Sequence, residues 1–257
     1  MIELRELSKQ HGTRAPAVEG VNLRVARGEF LVLAGPSGCG KTTTLAMINR
    51  LIEPSHGCVL IDGVDVRQSD PVTLRRQIGF VFQDIGLFPN MTVAENAGIV
   101  LRLLGRGAAE TAARVDELLA LVRLFARELR DVFPAALSGG QRQRVGVARA
   151  LAASPHIMLM DEPFGAIDPL TRDELASDYR QIHDRLGLTT ILVTHDMTEA
   201  ILLADRIALM RRGRLVQVGT PRELLSDPAD DFVRAMVESP RRRALALASA
   251  MPSGAPA

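Results

Sequence analysis

The order of apolar and polar positions along the chain predicts strands and helices in alternation. Strands are predicted where short apolar or alternating runs occur, and helices where apolar residues recur three or four positions apart. The predicted strands are 2–7, 21–25, 30–34, 58–61, 78–82, 157–160, 190–194 and 206–210, and the longer predicted helices are 41–51, 93–104, 108–124, 139–153, 171–186 and 198–204. Because such helices cover a sheet, the pattern predicts an α/β fold with a mostly parallel sheet.

The middle and the end of the chain depart from this alternation. From about residue 92 to residue 153 the pattern is wholly helical, which we interpret as a helical insert in the α/β fold. After Pro240 the composition is dominated by Arg, Ala, Ser, Pro and Gly. Such a segment forms a poor core, so residues 238–257 are predicted to be a disordered tail.

Composition and charge exclude several classes of protein. The chain has 257 residues, 47% of them hydrophobic, so a sizeable core can form. Its net charge of +1 gives no large field to attract nucleic acid or anionic lipid. The first residues lack a basic flank before an apolar stretch, and no apolar run approaches the roughly 18 residues of a membrane span, so a cytosolic protein is expected. Two cysteines, Cys39 and Cys58, do not make a disulfide framework or a metal site.

A glycine-rich segment after the predicted strand 30–34 has the sequence of a P-loop. The segment consists of Gly35, Pro36, Ser37, Gly38, Cys39, Gly40, Lys41, Thr42 and the adjoining Thr43. Backbone N–H groups and the helix dipole bind phosphates in such a loop, and a Cβ atom in place of its glycines would obstruct the close approach. Lys41 is expected to contact the terminal phosphates, and Thr42 to place its hydroxyl on Mg²⁺. The alternative is a glycine-rich structural turn.

The choice of cation in this segment is informative. Lys9 and Lys41 are the only lysines, and arginine appears everywhere else that a cation is wanted. The composition therefore indicates that Lys41 is retained for its chemistry.

A second motif ends the predicted strand 157–160. Asp161 and Glu162 follow its apolar residues, at the carboxyl end of a buried strand, where ligands bind in α/β sheets. Asp161 is expected to hold Mg²⁺, and Glu162 to polarise the water that attacks the γ-phosphate of ATP. Taken alone the motif is weak, since apolar strands often end in acidic residues. The P-loop earlier in the chain favours the functional interpretation.

A third motif stands immediately before the predicted helix 139–153. It reads Leu137-Ser138-Gly139-Gly140-Gln141-Arg142-Gln143-Arg144-Val145. A capping serine and two glycines at a helix N-terminus can bind a phosphate, although an ordinary N-cap also accounts for these three residues. The whole string resembles the signature sequence of ABC ATPases. The resemblance implies that Ser138, Gly139, Gly140 and Gln141 contact ATP held by a partner subunit.

The resemblance covers residues 1–237 and implies roles for four more residues. Gln83 matches the Q-loop glutamine, which contacts Mg²⁺ and the attacking water. His195 matches the switch histidine, which binds the γ-phosphate, and Asp168 lies in the D-loop, through which two subunits communicate. Family members usually have an aromatic residue near position 11 to stack on adenine. His11 occupies this place here, with a smaller ring for stacking.

From the same resemblance we expect the fold of a P-loop NTPase. Its RecA-like core would consist of residues 1–84 and 155–220, with a mostly parallel sheet. An N-terminal antiparallel β subdomain and an inserted α-helical subdomain of residues 85–154 would complete it.

Within the family, the segments 42–54, 74–92 and 230–234 look like those of ATPases that serve importers of glycine betaine, choline or other quaternary amines. The resemblance implies a head-to-tail homodimer with ATP at its interface. It also implies membrane permease subunits and, indirectly, a substrate-binding protein as partners, at the cytoplasmic face of the membrane. No nucleic-acid partner is expected.

Other function classes remain open. An apolar segment, 85–89, follows Gln83 and could receive a short helix from a membrane partner, which favours a transporter motor. A soluble ABC ATPase of DNA repair or translation normally has coiled-coil inserts or two tandem motors, and neither pattern occurs here. The signature string argues against a P-loop kinase or GTPase. ATPases of amino-acid and other importers share much of the sequence.

Overall fold

The computed structural model describes residues 1–13, 15–124, 129–165 and 167–250. In chain order its strands are β1 (Ile2–Lys9), β2 (Val18–Val25), β3 (Phe30–Ala34), β4 (His56–Ile61), β5 (Val64–Asp65), β6 (Ile78–Val81), β7 (Ile157–Asp161), β8 (Thr189–Thr194), β9 (Arg206–Arg211) and β10 (Arg214–Gly219). Its helices are α1 (Lys41–Ile48), α2 (Pro71–Gln77), α3 (Val93–Leu103), α4 (Ala108–Leu121), α5 (Gly139–Leu151), α6 (Pro169–Leu186), α7 (Met197–Leu203), α8 (Pro221–Ser226) and α9 (Asp231–Ala250). Within these described ranges, no helix is both long enough and apolar enough to cross a lipid bilayer.

Four strands near the N-terminus form an antiparallel sheet in the order β2-β1-β4-β5. Ile2 and Leu4 of β1 are buried, whereas Arg5 is exposed. The Arg5 guanidinium donates a hydrogen bond to the Glu3 carboxylate. The alternation is that of a strand with one face on the core. This sheet confirms the expected N-terminal antiparallel subdomain.

Six further strands form the main sheet, in the order β10-β9-β3-β8-β7-β6. The pairing of β10 with β9 is antiparallel, and the other four pairings of the described strands are parallel. Every residue of β3, β7 and β8 is buried, because both faces of the sheet are covered. The predicted α/β fold with a mostly parallel sheet is confirmed.

The main sheet separates two hydrophobic clusters. Phe30, Val32 and Ala34 of β3 belong to one cluster, and Leu31 and Leu33 belong to the other. The first cluster includes side chains of α3 to α7, and the second includes side chains of β1, β2 and α1. Full burial of a Leu, Val or Phe side chain contributes about 1.5–3 kcal/mol. The central strands are thus anchored on both faces, which fixes the loops at their carboxyl ends.

Three helices, α3, α4 and α5, form the helical insert. Asn96 of α3 is fully buried and binds the segment that enters the insert, since its Oδ1 accepts from Phe88 N at 2.8 Å. Its Nδ2 donates to Phe88 O at 3.1 Å and to Met91 O at 2.9 Å. These bonds fix the backbone around the exposed Phe88 side chain.

The end of the chain differs from the sequence expectation. Residues 238–250 continue α9, which contains Pro240. Proline has no backbone N–H, so the usual helical hydrogen bond from residue 240 is missing. The Arg242 side chain donates a hydrogen bond to the carbonyl oxygen of Ala235. Ala, Arg and Leu, which dominate 241–250, are strong helix formers despite the low complexity of the segment. Residues 251–257 of the predicted tail lie outside the described residues.

Candidate functional site

The carboxyl ends of three neighbouring parallel strands define the candidate site. Ala34, the last residue of β3, pairs with Thr194, the last residue of β8. Asp161, the last residue of β7, pairs with Val193. The register therefore brings the P-loop, the acidic pair 161–162 and His195 to one edge of the main sheet, where ligands bind in such folds.

The glycines of the P-loop serve the packing of the loop as well as its approach to a ligand. A Cβ atom on Gly35 would lie 2.3 Å from the carbonyl oxygen of Met210, and one on Gly40 would lie 2.4 Å from that of Ala17. Gly38 has a φ of +77° and open space around its Cβ position. The sequence argument that a Cβ would obstruct phosphate is therefore incomplete, because Gly35 and Gly40 are required by neighbouring backbone.

The ammonium of Lys41 lies inside the P-loop. Its Nζ donates to the carbonyl oxygens of Gly35 at 2.8 Å and Pro36 at 3.1 Å, and the residue is 5% exposed. Among the ion pairs between described residues, none includes Lys41. Its Nζ also lies 3.9 Å from Cys39 Sγ. A buried cation whose partners are neutral suits an incoming anion such as a phosphate.

The remaining P-loop side chains differ in exposure. Pro36 and Ser37 are exposed, and Thr43 is half-buried. The Cys39 thiol is buried, and its burial raises its pKa. This makes Cys39 a packing residue of the loop.

Thr42 and Asp161 form the second part of the site. Thr42 Oγ1 donates to Asp161 Oδ1 at 2.9 Å, and Asp161 is buried. Burial raises the pKa of Asp161; the hydrogen bond from Thr42 opposes this, and the nearby Glu162 charge adds to it. The fold therefore retains a carboxylate in a place where it costs stability, which is typical of a cation ligand.

Glu162 and His195 form the third part. His195 Nδ1 lies 3.0 Å from Glu162 Oε2, and Glu162 N donates to Val193 O at 2.9 Å. The Glu162 backbone has a φ of +43°, in the left-handed region that non-glycine residues rarely adopt. Strained backbone of this kind costs roughly 1–3 kcal/mol and concentrates at functional sites. The residue with this backbone conformation is the one that contacts His195.

The signature string begins α5, one of the three helices of the insert. Ser138 Oγ accepts from Gln141 N at 3.2 Å, and Gln141 Oε1 accepts from Ser138 N at 2.9 Å. This capping box leaves the Ser138 hydroxyl proton free to donate. A Cβ atom on Gly140 would lie 2.5 Å from Thr171 Cγ2 of α6, whereas Gly139 has open space. Gly140 is thus needed for helix packing, and Gly139 leaves the helix N-terminus accessible.

Three predicted residues stand apart from this site. Asp168 is the N-cap of α6, where hydrogen bonds from Thr171 lower its pKa. Gln83 and His11 are exposed in loops after β6 and β1. Between the residues that the structure describes, no hydrogen bond joins Gln83 or His11 to the P-loop, Asp161 or Glu162.

Sequence reasoning missed two charged residues next to the predicted ones, one buried and one half-buried. Glu199 of α7 is 7% exposed and accepts a hydrogen bond from Thr194. Arg149 of α5 donates to the carbonyl oxygens of Ile85 and Gly86, in the loop that follows Gln83, and burial lowers its pKa. The sequence signal that could have identified both residues is a charged residue at a helix position where the spacing predicts an apolar one.

Comparisons with known proteins agree with this geometry. The family described as ABC transporter matches residues 18–165. The choline transport ATP-binding protein OpuBA of Bacillus subtilis is 52% identical over 94% of this chain, and this chain spans 63% of that protein, less than two thirds of its length. The glycine betaine uptake system ATP-binding protein YehX of Escherichia coli is 49% identical over 91% of this chain and 75% of that protein.

The chain is also similar to a solved structure of an ABC transporter cassette. The dimeric structure of a bacterial ABC transporter cassette has a TM-score of 0.78 and 36% identity, over 86% of this chain and 98% of that one. The family match and these relatives together show that the chain belongs to the ABC transporter family and contains its ATP-binding domain.

Proposed function

We propose that this chain is the ATP-hydrolysing subunit of an ABC importer that takes up a quaternary amine such as choline or glycine betaine. The contact between Glu162 and His195 beside the P-loop carries the proposal of hydrolysis. The proposal for the cargo rests on identities of 52% and 49% to transport proteins named for choline and for glycine betaine.

The P-loop binds the phosphates of ATP in this proposal. Backbone N–H groups of residues 37–43 and the N-terminus of α1 face the phosphates, and Lys41 exchanges its carbonyl partners for terminal phosphate oxygens. His11 stacks on the adenine. Because His11 is exposed and has a small ring, we expect this contact to add little affinity.

Mg²⁺ fits the oxygen donors of Thr42 and Asp161. These two atoms are 2.9 Å apart, and hydroxyl and carboxylate oxygens are the ligands that Mg²⁺ prefers. Within the described part of the chain, no three His, Cys, Asp or Glu side chains form a metal cluster. This agrees with an ion held by one carboxylate, with waters and phosphate oxygens as the remaining ligands. Thr42, Asp161 and, as a further contact, Gln83 would hold the ion there, and it would neutralise charge on the phosphates.

Glu162 accepts the proton of the attacking water. The His195 ring donates from Nδ1 to Glu162 Oε2, so the carboxylate selects the Nδ1–H tautomer and is held in one orientation. The Glu162 side chain is the less exposed of the two, with 17% of it accessible to solvent against 54% for His195. A shielded base beside an accessible imidazole suits water activation at the edge of a cleft.

Two copies of the chain form the working unit. Ser138, Gly139, Gly140 and Gln141 begin α5 away from the P-loop, so in this proposal they contact the ATP held by the other copy. The open space at Gly139 and the free Ser138 hydroxyl proton leave room for a phosphate there. Asp168 faces the partner copy. A related cassette with 36% identity has a dimeric structure.

Permease subunits bind on the side of the helical insert. Phe88 is 45% exposed although its backbone is fixed by Asn96, which gives a rigid apolar contact just after Gln83. The chain therefore works at the cytoplasmic face of the membrane through its permease, and a substrate-binding protein delivers the amine to that permease.

Hydrolysis is tested with the purified chain. Glu162→Gln keeps the size of the side chain and removes the base, so ATP should bind with Mg²⁺ while turnover falls by about 100-fold or more. Glu174→Gln, an exposed acid on α6, is the matched control and should retain activity. Turnover by Glu162→Gln at the rate of the unmodified chain would remove Glu162 from the catalytic role.

The cargo is tested in the cell that makes this chain. Cells carrying Glu162→Gln on the chromosome should lose uptake of radiolabelled choline or glycine betaine and keep uptake of sulfate. Sulfate is the informative comparison because a sulfate/thiosulfate import relative is 47% identical. Loss of sulfate uptake alone would contradict the quaternary-amine proposal.

A further inference from the structure

The loop that carries His195 is held by a buried carboxylate on the next helix. Thr194 Oγ1 donates to Glu199 Oε2 at 2.7 Å, and Asp196 N donates to Thr194 Oγ1 at 3.0 Å. Thr194 precedes His195 and Asp196 follows it. One chain of hydrogen bonds that ends at Glu199 therefore fixes the backbone on both sides of His195.

The position of the His195 ring depends on this backbone. The ring is 54% exposed, and it contacts Glu162, which follows a different strand. Because few atoms pack against the ring, the position of the His195 backbone largely determines where the ring lies. The rigid part of the arrangement lies behind the ring, where Thr194 is 2% exposed and Glu199 is 7% exposed.

Arg172 connects the same carboxylate to the predicted D-loop. It lies in the first turn of α6, and its guanidinium donates to Ile167 O at 3.0 Å, next to Asp168. The guanidinium is 3.7 Å from Asp196 Oδ2 and 3.9 Å from Glu199 Oε1. Its Nε is buried without a hydrogen-bond partner in the described residues. Arg172 therefore stands between the segment of Asp168 and the segment of His195.

Burial alone would make a charge at Glu199 unfavourable. Burial raises the pKa of Glu199, and the hydrogen bond from Thr194 and the Arg172 charge oppose that effect. A carboxylate retained among Met197, Ala200 and Leu203, all of them buried, needs such partners. It acts as the acceptor at the end of the chain of hydrogen bonds.

We infer that Glu199, through Thr194 and with Arg172, is a positioning residue that holds His195 against Glu162 and links it to the segment of Asp168. This inference rests on the proposed role of Glu162 and His195 in ATP hydrolysis. It assigns no chemistry to Glu199 itself.

The kinetic test removes the hydrogen bond from either end. Glu199→Ala and Thr194→Val should each lower kcat by about tenfold, because His195 then no longer holds Glu162 in place. They should change KM for ATP much less, because the P-loop and Lys41 supply most of the proposed phosphate contacts. Glu199→Gln keeps an acceptor for Thr194 and should restore most of kcat. In a His195→Ala background, Glu199→Ala should have no further effect, since it acts through His195.

Glu29 supplies a matched control. It is also a buried carboxylate, 8% exposed, which accepts from Ala26 N at 2.6 Å and pairs with Arg206 at 3.1 Å. It precedes β3, at the end of the strand opposite the P-loop. Glu29→Ala should lower the melting temperature and leave kcat unchanged. Equal loss of kcat in Glu29→Ala and Glu199→Ala would overturn the inference, because the effect would then be general destabilisation.

An NMR experiment on the nucleotide-free chain gives a readout without turnover. Of the five histidines, the resonances of His195 are identified by their absence in His195→Ala. They should shift in Glu199→Ala and Thr194→Val and stay in place in Glu29→Ala. Unchanged His195 resonances in both variants would overturn the inference. If the unmodified chain proved inactive, the proposed hydrolysis would fail, and the NMR result would still decide whether Glu199 positions His195.

Discussion

Among single residues, Asp161 carries a charge that its surroundings in the nucleotide-free fold disfavour. Its carboxylate is buried, and burial raises its pKa above the usual value of about 3.9. A raised pKa in the folded state favours the protonated form, so the stability it contributes is present below the usual pKa and is lost as pH rises through the raised one. At neutral pH the nucleotide-free protein therefore carries a destabilising buried charge.

Asp161→Asn should therefore raise the melting temperature of the nucleotide-free protein at pH 8, by about 2–4 °C for each kcal/mol relieved. The difference from the unmodified chain should shrink as pH falls toward 4, because a protonated Asp161 is neutral like asparagine. Thermal unfolding followed by circular dichroism at several pH values measures it, with the exposed Asp173→Asn as control. A lower melting temperature for Asp161→Asn at pH 8 would contradict this account.

The sequence was sufficient to identify site residues whose roles depend on residues next to them in the chain. The P-loop string and the acids after β7 could be found because loop, strand end and helix start are adjacent in the chain. Thr194 and Glu199 are only five residues apart, but whether their side chains meet depends on how α7 turns back on β8. The packing need for Gly35 likewise arises from Met210, far along the chain.

Among the elements, the start of α5 beside α6 has one glycine that is needed for packing and one that is available for the proposed activity. A Cβ on Gly140 meets Thr171 of α6 at 2.5 Å, and a Cβ on Gly139, one residue earlier, meets nothing. The two glycines of the signature string therefore face different surroundings. One contacts the body of the same chain, and the other is open.

Gly140→Ala should destabilise the fold by about 1–3 kcal/mol, because the added methyl group overpacks the helix contact. Gly139→Ala should leave the free energy of unfolding nearly unchanged and still reduce ATPase activity, since the proposed trans phosphate needs the open space. Urea titration and a phosphate-release assay on the two variants measure both quantities. An equal loss of unfolding free energy in the two variants would show that Gly140 is packed no more tightly than Gly139.

Element ends were the least predictable part of the fold. The predicted helix 41–51 ends at Ile48, and the predicted helix 108–124 ends at Leu121. Left-handed backbone follows each end at Arg50 and Arg123, with φ of +48° and +58°. Helices usually end at glycine in this conformation, so arginine gave no stop signal. The type and order of the buried strands were predictable because apolar runs identify them directly.

At the scale of the whole molecule, one P-loop and one signature string lie in separate regions of each chain. If they complete each other across a dimer, each site needs Lys41 from one copy and Ser138 from the other. Lys41→Ala and Ser138→Arg homodimers should then both be inactive. The first lacks the phosphate cation, and the second blocks the helix N-terminus with a bulky side chain.

Mixing these two variants should restore part of the ATPase activity. One site of the mixed dimer combines both changes, and the other keeps an intact P-loop and an intact signature string. Recovery should scale with the mixed fraction, and each variant mixed with itself is the control. Strong activity in either pure variant would mean that hydrolysis does not need the second copy.

The packing of the P-loop glycines has a consequence for the energetics of nucleotide binding. Gly35 and Gly40 are pressed against the backbone of Met210 and Ala17, so the loop takes its curved path as the sheet and its neighbours assemble. The conformational entropy of ordering this loop is then lost during folding rather than when ATP arrives. A preorganised loop leaves more of the phosphate interaction energy to appear as affinity. The same arrangement makes the affinity for ATP sensitive to the β9 strand end at Met210, which no phosphate touches.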